Sequence, residues 1–267
     1  MITRNQDMIS DVAANEIAVA TEVARLKQRV LFLEGELMQF AHVISHDLQE
    51  PLRKIQIYSG ILRERESIGA DAEVVDKILT SSNRMSVLVA DVMAYAKVVR
   101  DGKMLRPVDL HDVATKVLHD FEIAIAERGA IITLDRLPVV SAIGLEMYQL
   151  FYNLVDNALK FSKPDGIPEI GICCKKLTPA VAAKYISNPQ QGKTYYDISI
   201  RDNGIGFNVN YADKIFKVFG RLHPKGVYSG TGIGLSLCRI IMENHEGTLF
   251  AESQPGEGSA FHLIIAE

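Results

Sequence analysis

A chain of 267 residues with a formal net charge of −4 has room for two modest domains and offers no basic surface for nucleic acid or an anionic membrane. Its 48% hydrophobic and 23% charged residues are ordinary for a folded protein, and no apolar run reaches the ~18 residues of a membrane-spanning helix. The opening MITRNQDMISDVAANE lacks the apolar run of a signal peptide, and three cysteines do not make a disulfide framework, so reduced thiols and a cytoplasmic location are expected.

From Val19 the apolar residues fall on a heptad. Val23, Val30, Leu37 and Ile44 hold one position of the seam, and Val19, Leu26, Leu33 and Phe40 hold the other. So narrow a stripe is buried most economically against a parallel copy of itself, which predicts a homodimer. Helical periodicity continues through Leu48, Leu52, Ile55, Ile61 and Leu62 and stops near Gly69, with Asp71 as N-cap of the next helix. That helix carries Val75, Ile78, Leu79, Met85, Val89, Val92, Met93 and Ala96 at i, i+3, i+4 spacing. Two such hairpins in a dimer make a four-helix bundle. Residues 100–107 read as a linker. Beyond them helical stretches alternate with the β-branched runs AIITLD, PEIGICC, YYDISIRD, TLFAES and AFHLIIA, which predicts helices covering a mixed or antiparallel sheet. Residues 176–194 read as an insertion between two strands, with a short helix over 179–186.

Four segments carry chemistry. In SHDLQEPL (residues 45–52) His46 sits beside the seam, where an unprotonated imidazole nitrogen can accept a phosphoryl group. Asp47 next to it can hold the proton on the other nitrogen. Pro51 removes the helical partner of the Asp47 carbonyl and predicts a bend there. In NLVDNALKFS (residues 153–162) Asn153, Asn157 and Lys160 stand at i, i+4 and i+7 on one helix face, with Leu150, Leu154 and Ala158 turned inward. Amide oxygens suit Mg²⁺ that is also held by phosphates, and the lysine can reach a phosphate. In DNGIGF (residues 202–207) Asp202 follows a strand and can accept from an exocyclic amine, while Gly204 and Gly206 let the backbone come close. In GTGIGLSL (residues 230–237) three glycines lead into a helix whose free N–H groups suit an anion. Between the last two lies IFKVFGRLHPKGVYS, with Phe216 and Phe219 as apolar anchors, Arg221 and Lys225 as charges, and a lid-like end. No G-K-[ST] ending follows the glycines, so a P-loop does not fit.

Taken in order, these segments resemble the histidine kinase family over residues 38–267: H-box, N-box, first glycine box, F-box, second glycine box and the closing strand GEGSAFHLIIA. The H-box and the RLH of the F-box look most like kinases attached to phytochrome or PAS sensors. The resemblance implies an α+β chain. An N-terminal coiled-coil signalling helix (1–37) and a dimerisation and phosphotransfer hairpin (38–99) precede the linker (100–107) and an α/β-sandwich ATP-binding domain with a mixed sheet (108–267). It implies His46 as phospho-acceptor with Asp47 as acid/base partner, and Asn157 as Mg²⁺ ligand with Asn153 and Lys160 near the phosphates. Asp202 would read adenine, with Gly204 and Gly206 shaping its pocket. Arg221 and the run Gly230, Thr231, Gly232, Ile233, Gly234 and Leu235 would flank the phosphates, and Ser259 would support the adenine site through water. ATP and Mg²⁺ are the implied cofactors, and a response-regulator receiver domain is the implied partner.

Two departures accompany the resemblance. Kinases that also dephosphorylate their partner often carry Thr or Asn four residues after the histidine. Glu50 stands there, and its charge suits a water attack on phospho-aspartate poorly, so weak phosphatase activity is expected. The heptads begin within some 18 residues of the start, so either the chain is an excised module of a protein with an upstream sensor domain, or its input is expected through a partner or the N-terminal helix. Two rival readings keep the same ATP-binding fold: a Ser/Thr kinase, and a non-catalytic dimeric adaptor.

Overall fold

The computed structural model describes residues 52–63, 72–100, 105–186, 192–222 and 230–267, with the single residues 23, 30, 48, 49, 189 and 228. His46, Asp47, Glu50, Pro51, Gly69, Asp71 and Lys225 lie outside them, as do all heptad positions except Val23 and Val30, which are both helical.

Helix α1 (residues 52–63) and helix α2 (Ala72–Arg100) form a hairpin. Over its 29 residues α2 meets neither glycine nor proline, so nothing in its own sequence breaks it. The two helices are registered by polar contacts. Gln56 Nε2 donates to Asn83 Oδ1 (2.9 Å) and Ser86 Oγ (3.1 Å), and the buried Ser82 Oγ donates to the Leu52 carbonyl (3.1 Å). Leu52, Val75 and Val89 are buried, whereas Ile55, Ile61, Leu62, Ile78 and Met85 stay exposed.

The segment read as a linker is shorter than 100–107. α2 runs through Arg100, and strand β1 (Arg106–Asp109) has already begun at Arg106. Apolar packing explains the first end, since Val98 is buried in the core of the α/β region. Pairing explains the second: β1 runs antiparallel to β3 (Val139–Ala142) in a two-stranded ladder, where Pro107, opposite Ser141, can lack an N–H at little cost.

The main sheet has five strands in the order β2 (Ile131–Leu134), β4 (Glu169–Leu177), β5 (Tyr195–Asp202), β7 (Gly258–Ala266), β6 (Thr248–Gln254). β2 pairs parallel with β4 and every other pair is antiparallel, so the sheet is mixed. Period-two alternation divides its faces: Ile198, Ile200, Phe261, Leu263 and Ile265 point into the main core, and Asp197, Ser199, His262 and Ile264 point away. Three helices cover the core face: α3 (Leu110–Asp120), α5 (Gly144–Lys160) and α8 (Gly234–Asn244). On α5 Met147, Leu150, Phe151, Leu154, Val155 and Ala158 follow helical spacing and are buried; each large one contributes about 1.5–3 kcal/mol. Helix α4 (Glu122–Arg128) ends at Gly129, which takes the left-handed conformation that closes a helix.

The described part of the 176–194 region covers one end of the other face. β4 claims it as far as Leu177, and helix α6 spans only Pro179–Ala182, shorter than the 179–186 expected. Tight turns carry the chain on to Ile186. Ala182 and Ile186 close over Leu177, Tyr195 and Ile264 as a second small core. Tyr185 stacks on Phe250 (5.0 Å), and Phe250 stacks on His262 (4.7 Å), whose Nδ1 lies 2.9 Å from Asp197 Oδ1.

Candidate functional site

The face of α5 opposite its apolar stripe carries Gln149, Tyr152, Asn153, Asp156, Asn157 and Lys160, and all six line one cleft of about 370 Å³. Across the cleft stand the end of β5, the start of β7 and the glycine run that opens α8. Asp202, Gly206, Arg221, Gly230, Thr231, Gly232, Gly234, Leu235 and Ser259 are the other sequence-predicted residues in the lining. Gly204 and Ile233 lie behind it. A Cβ on Gly204 would stand 2.5 Å from the Phe161 carbonyl oxygen, so this glycine lets the loop press on the end of α5. Ile233 is a core residue at 1% exposure, anchoring the start of α8 rather than facing a ligand.

At one end the site is built around Asp202. β5 and β7 put it opposite Ser259, and its Oδ1 accepts from the backbone N–H groups of Gly204 (2.9 Å) and Ser259 (3.2 Å). Oδ2 makes no hydrogen bond among the described residues, which leaves it for a donor in the cleft. Burial raises the carboxyl above the usual range, and the two N–H groups partly hold it down. Gly206 has a φ of 58°, and a Cβ there would sit 2.1 Å from the Gln254 carbonyl oxygen, so only glycine fits. Ser253, absent from the sequence-based site, ties this end together. Its hydroxyl donates to the Gly258 carbonyl (2.8 Å), accepts from Phe207 N–H (2.8 Å) and lies 3.1 Å from Ser259 Oγ.

The other end collects charge and backbone N–H groups. Gly230 has a φ of 129°, and a Cβ would meet Lys160 Nζ at 2.5 Å, so the glycine run and the lysine stand face to face. Burial lowers the Lys160 pKa; Asp156 opposes that shift and Arg221 adds to it. Arg221 is held by Nη2 donating to the Tyr228 carbonyl (2.9 Å), and Tyr228 packs on Phe161 (4.9 Å). Asn157 makes no side-chain hydrogen bond among the described residues, so its amide is available to the cleft. The described residues contain no cluster of three His, Cys, Asp or Glu suited to a metal. A cation here would therefore lean on amide oxygens and on its ligand's own oxygens, a set that suits Mg²⁺ held with phosphates.

Phe216 and Phe219 part company. Phe216, at the end of the short helix α7 (Ala212–Ile215), is buried, edge-on to Phe261 (6.4 Å) and capped by Arg239. Phe219, expected as an anchor, is 59% exposed with a φ of 61°, because the turn before Gly220 carries it outward. Sequence reasoning also missed Val87 and Asp91, which reach the cleft from α2. Asp156 could have been found, since it stands three residues from Asn153 on the same helix face. Asp91 carries no local signal, since only the docking of α2 on α8 brings it there.

The comparisons agree with this architecture. Residues 36–99 match the family model described as His Kinase A (phospho-acceptor) domain. Residues 143–267 match that of the Histidine kinase-, DNA gyrase B-, and HSP90-like ATPase. Cyanobacterial phytochrome A of Nostoc sp. (strain PCC 7120) is 37% identical over 249 residues, covering 92% of this chain and 30% of that protein. Phytochrome-like protein Cph1 of Synechocystis sp. (strain PCC 6803) is 34% identical over 249 residues, with 92% and 31% covered. The chain thus spans under a third of the length of these curated relatives. The solved structure of full-length ShkA in complex with AMPPNP shares the fold, with a TM-score of 0.61 and 19% identity over 85% of this chain and 45% of that one. Among the described residues no helix is long and apolar enough to cross a membrane. With a phospho-acceptor hairpin followed by this ATPase domain, both in one chain, the protein belongs to the sensor histidine kinase family.

Proposed function

We propose that this chain is the kinase core of a two-component sensor: it binds ATP in the cleft, phosphorylates His46, and passes the phosphoryl group to an aspartate of a response-regulator receiver domain. The observation that carries the reading is the two-ended cleft, a half-buried carboxylate with one free oxygen at one end and an amide–lysine face against a glycine run at the other. Asp202 Oδ2 accepts from the adenine amine, and Ser259 supports that end through water. Gly204 and Gly206 let the loop approach the base. Lys160, Arg221 and the N–H groups of the Gly230–Leu235 run receive the phosphates. Asn157, with Asn153 behind it, holds Mg²⁺, which supplies neutralising charge to the phosphate oxygens when bound. Asp47 keeps the proton on one nitrogen of His46 so that the other can attack in line.

The exposed Ile55, Ile61, Leu62, Ile78 and Met85 on the hairpin support a homodimer closed as a four-helix bundle, with the N-terminal heptads as its coiled-coil extension. Catalysis in the cytoplasm, with an input arriving through that extension, fits the same reading. Incubation with γ-labelled ATP and Mg²⁺ tests it. Acid-labile label on the wild type, absent from His46→Gln and Asn157→Ala, is the expected outcome. Label that survives His46→Gln, or is stable to acid, moves the acceptor elsewhere and favours a Ser/Thr kinase. ATP binding without any label favours the adaptor.

A further inference from the structure

The hairpin reaches into the nucleotide cleft. Val87 and Asp91 of α2 are part of its lining. Thr231, the residue between Gly230 and Gly232, donates its hydroxyl to Asp91 Oδ2 at 2.5 Å and accepts from Ile233 N–H at 3.3 Å. One side chain of the glycine run is therefore committed to a carboxylate of the other region. Below this point α2 is fastened to α8, where Asn244 Nδ2 donates to the Val98 carbonyl (2.8 Å) and Ala94 and Tyr95 pack on the core.

The charges around the contact make it unusual for a phosphate site. Asp91 and Asp156 both line the cleft, where Lys160 and Arg221 are the cations among the described residues. Partial desolvation raises both carboxyl pKa values, and Asp91 raises that of Asp156 further. Two carboxylates thus share the cleft with the glycine run that a polyphosphate would approach, and one of them, Asp91, is supplied by the hairpin.

We propose that Asp91 is an affinity-determining residue of the nucleotide site: its carboxylate latches the glycine run to α2 in the nucleotide-free protein, and a nucleotide polyphosphate must break that latch to bind. The inference rests on the ATP reading of the cleft. Binding and latching then oppose each other by the same factor, so anything that moves α2 changes nucleotide affinity and nucleotide loosens α2 in return. The hairpin gains a direct electrostatic line to the ATP site.

The test is the affinity of the intact protein for a non-hydrolysable ATP analogue with Mg²⁺, compared across Asp91 variants whose melting curves show that they fold. Asp91→Ala and Asp91→Asn are expected to bind about tenfold more tightly than wild type, and Asp91→Glu, which keeps charge and acceptor, within about twofold of it. Removing the Asp91 charge alone also favours a polyanion, so Thr231→Val, which keeps that charge and breaks the latch, is expected to bind more tightly than wild type as well, and no gain in it overturns the latch. Unchanged or weaker binding in Asp91→Ala and Asp91→Asn, with normal binding in the wild type, overturns the latch and leaves the ATP reading intact. Absence of nucleotide binding in every variant, wild type included, overturns the ATP reading and the latch with it.

Discussion

The two faces of the five-stranded sheet are covered in different ways. On one face α3, α5 and α8 bury Ile198, Ile200, Phe261, Leu263 and Ile265. On the other, residues 178–186 cover one end only, and a stack of Tyr185, Phe250 and His262 takes the place of a helix layer. The helices of the first face also carry the chemistry. α5 turns Leu150 and Leu154 inward and Asn153 and Asn157 outward, so one element serves packing and binding at once. The strand ends Asp202 and Ser259, in period with Ile200 and Phe261, belong to the first face, and among the described residues the second face contributes no strand residue to the lining. Stability and function are therefore entangled on one side of the sheet and separable on the other.

Substitutions can break that contrast. The largest effect is expected from Asn157→Ala, which should lower autophosphorylation by about 10²–10³-fold, as loss of a charge-stabilising group does, without moving the denaturation midpoint. Leu154→Ala on the same helix, at 0% exposure, should cost about 2–5 kcal/mol in urea unfolding and leave activity per folded molecule nearly intact. Similar effects on both quantities from both variants would erase the division of labour along α5.

Asp202→Asn should weaken ATP binding about tenfold, the scale of one hydrogen bond to a charged group, as read by calorimetric titration. The same change should raise stability at higher pH. Burial raises the Asp202 carboxyl, so between its unfolded and folded pKa values the native state binds more protons, and stability falls as pH rises through that window. Removing the titration flattens that fall, and melting temperature against pH for the two proteins measures it. On the far face, Phe250→Ala should cost about 1–2 kcal/mol, less than a fully buried aromatic, and leave phosphorylation unchanged. Reduced nucleotide affinity in Phe250→Ala would show that the two faces are coupled after all.

Much of the architecture was legible because periodicity is a local property. The 3.6-residue spacing of α5 and the β-branched runs of β5 and β7 carried their own assignment, and the glycines of the cleft marked close approaches before any fold was known. What escaped was set by distant partners. β1 and β3 are four-residue strands that pair with each other and not with the main sheet, so Arg106 and Pro107 looked like linker. Phe219 had the composition of an anchor, but the turn before Gly220 decided its direction. Ser253 ties Phe207, 46 residues away, to the start of β7, and Asp91 enters the cleft from 140 residues away. Side chains whose role depends on a non-local neighbour leave no pattern in their own segment.

The fastening of α2 has a mechanical consequence. Val98 is built into the α/β core, and its carbonyl is held by Asn244, so the last turn of α2 travels with the α/β region as one body. A swing of that region toward the hairpin therefore cannot pivot in the residues after Arg100. With Ala94 and Tyr95 packed on the same core, the fulcrum lies in α2 ahead of Ala94, and the stiffness of the helix there sets how much torque a nucleotide or an upstream signal has to deliver.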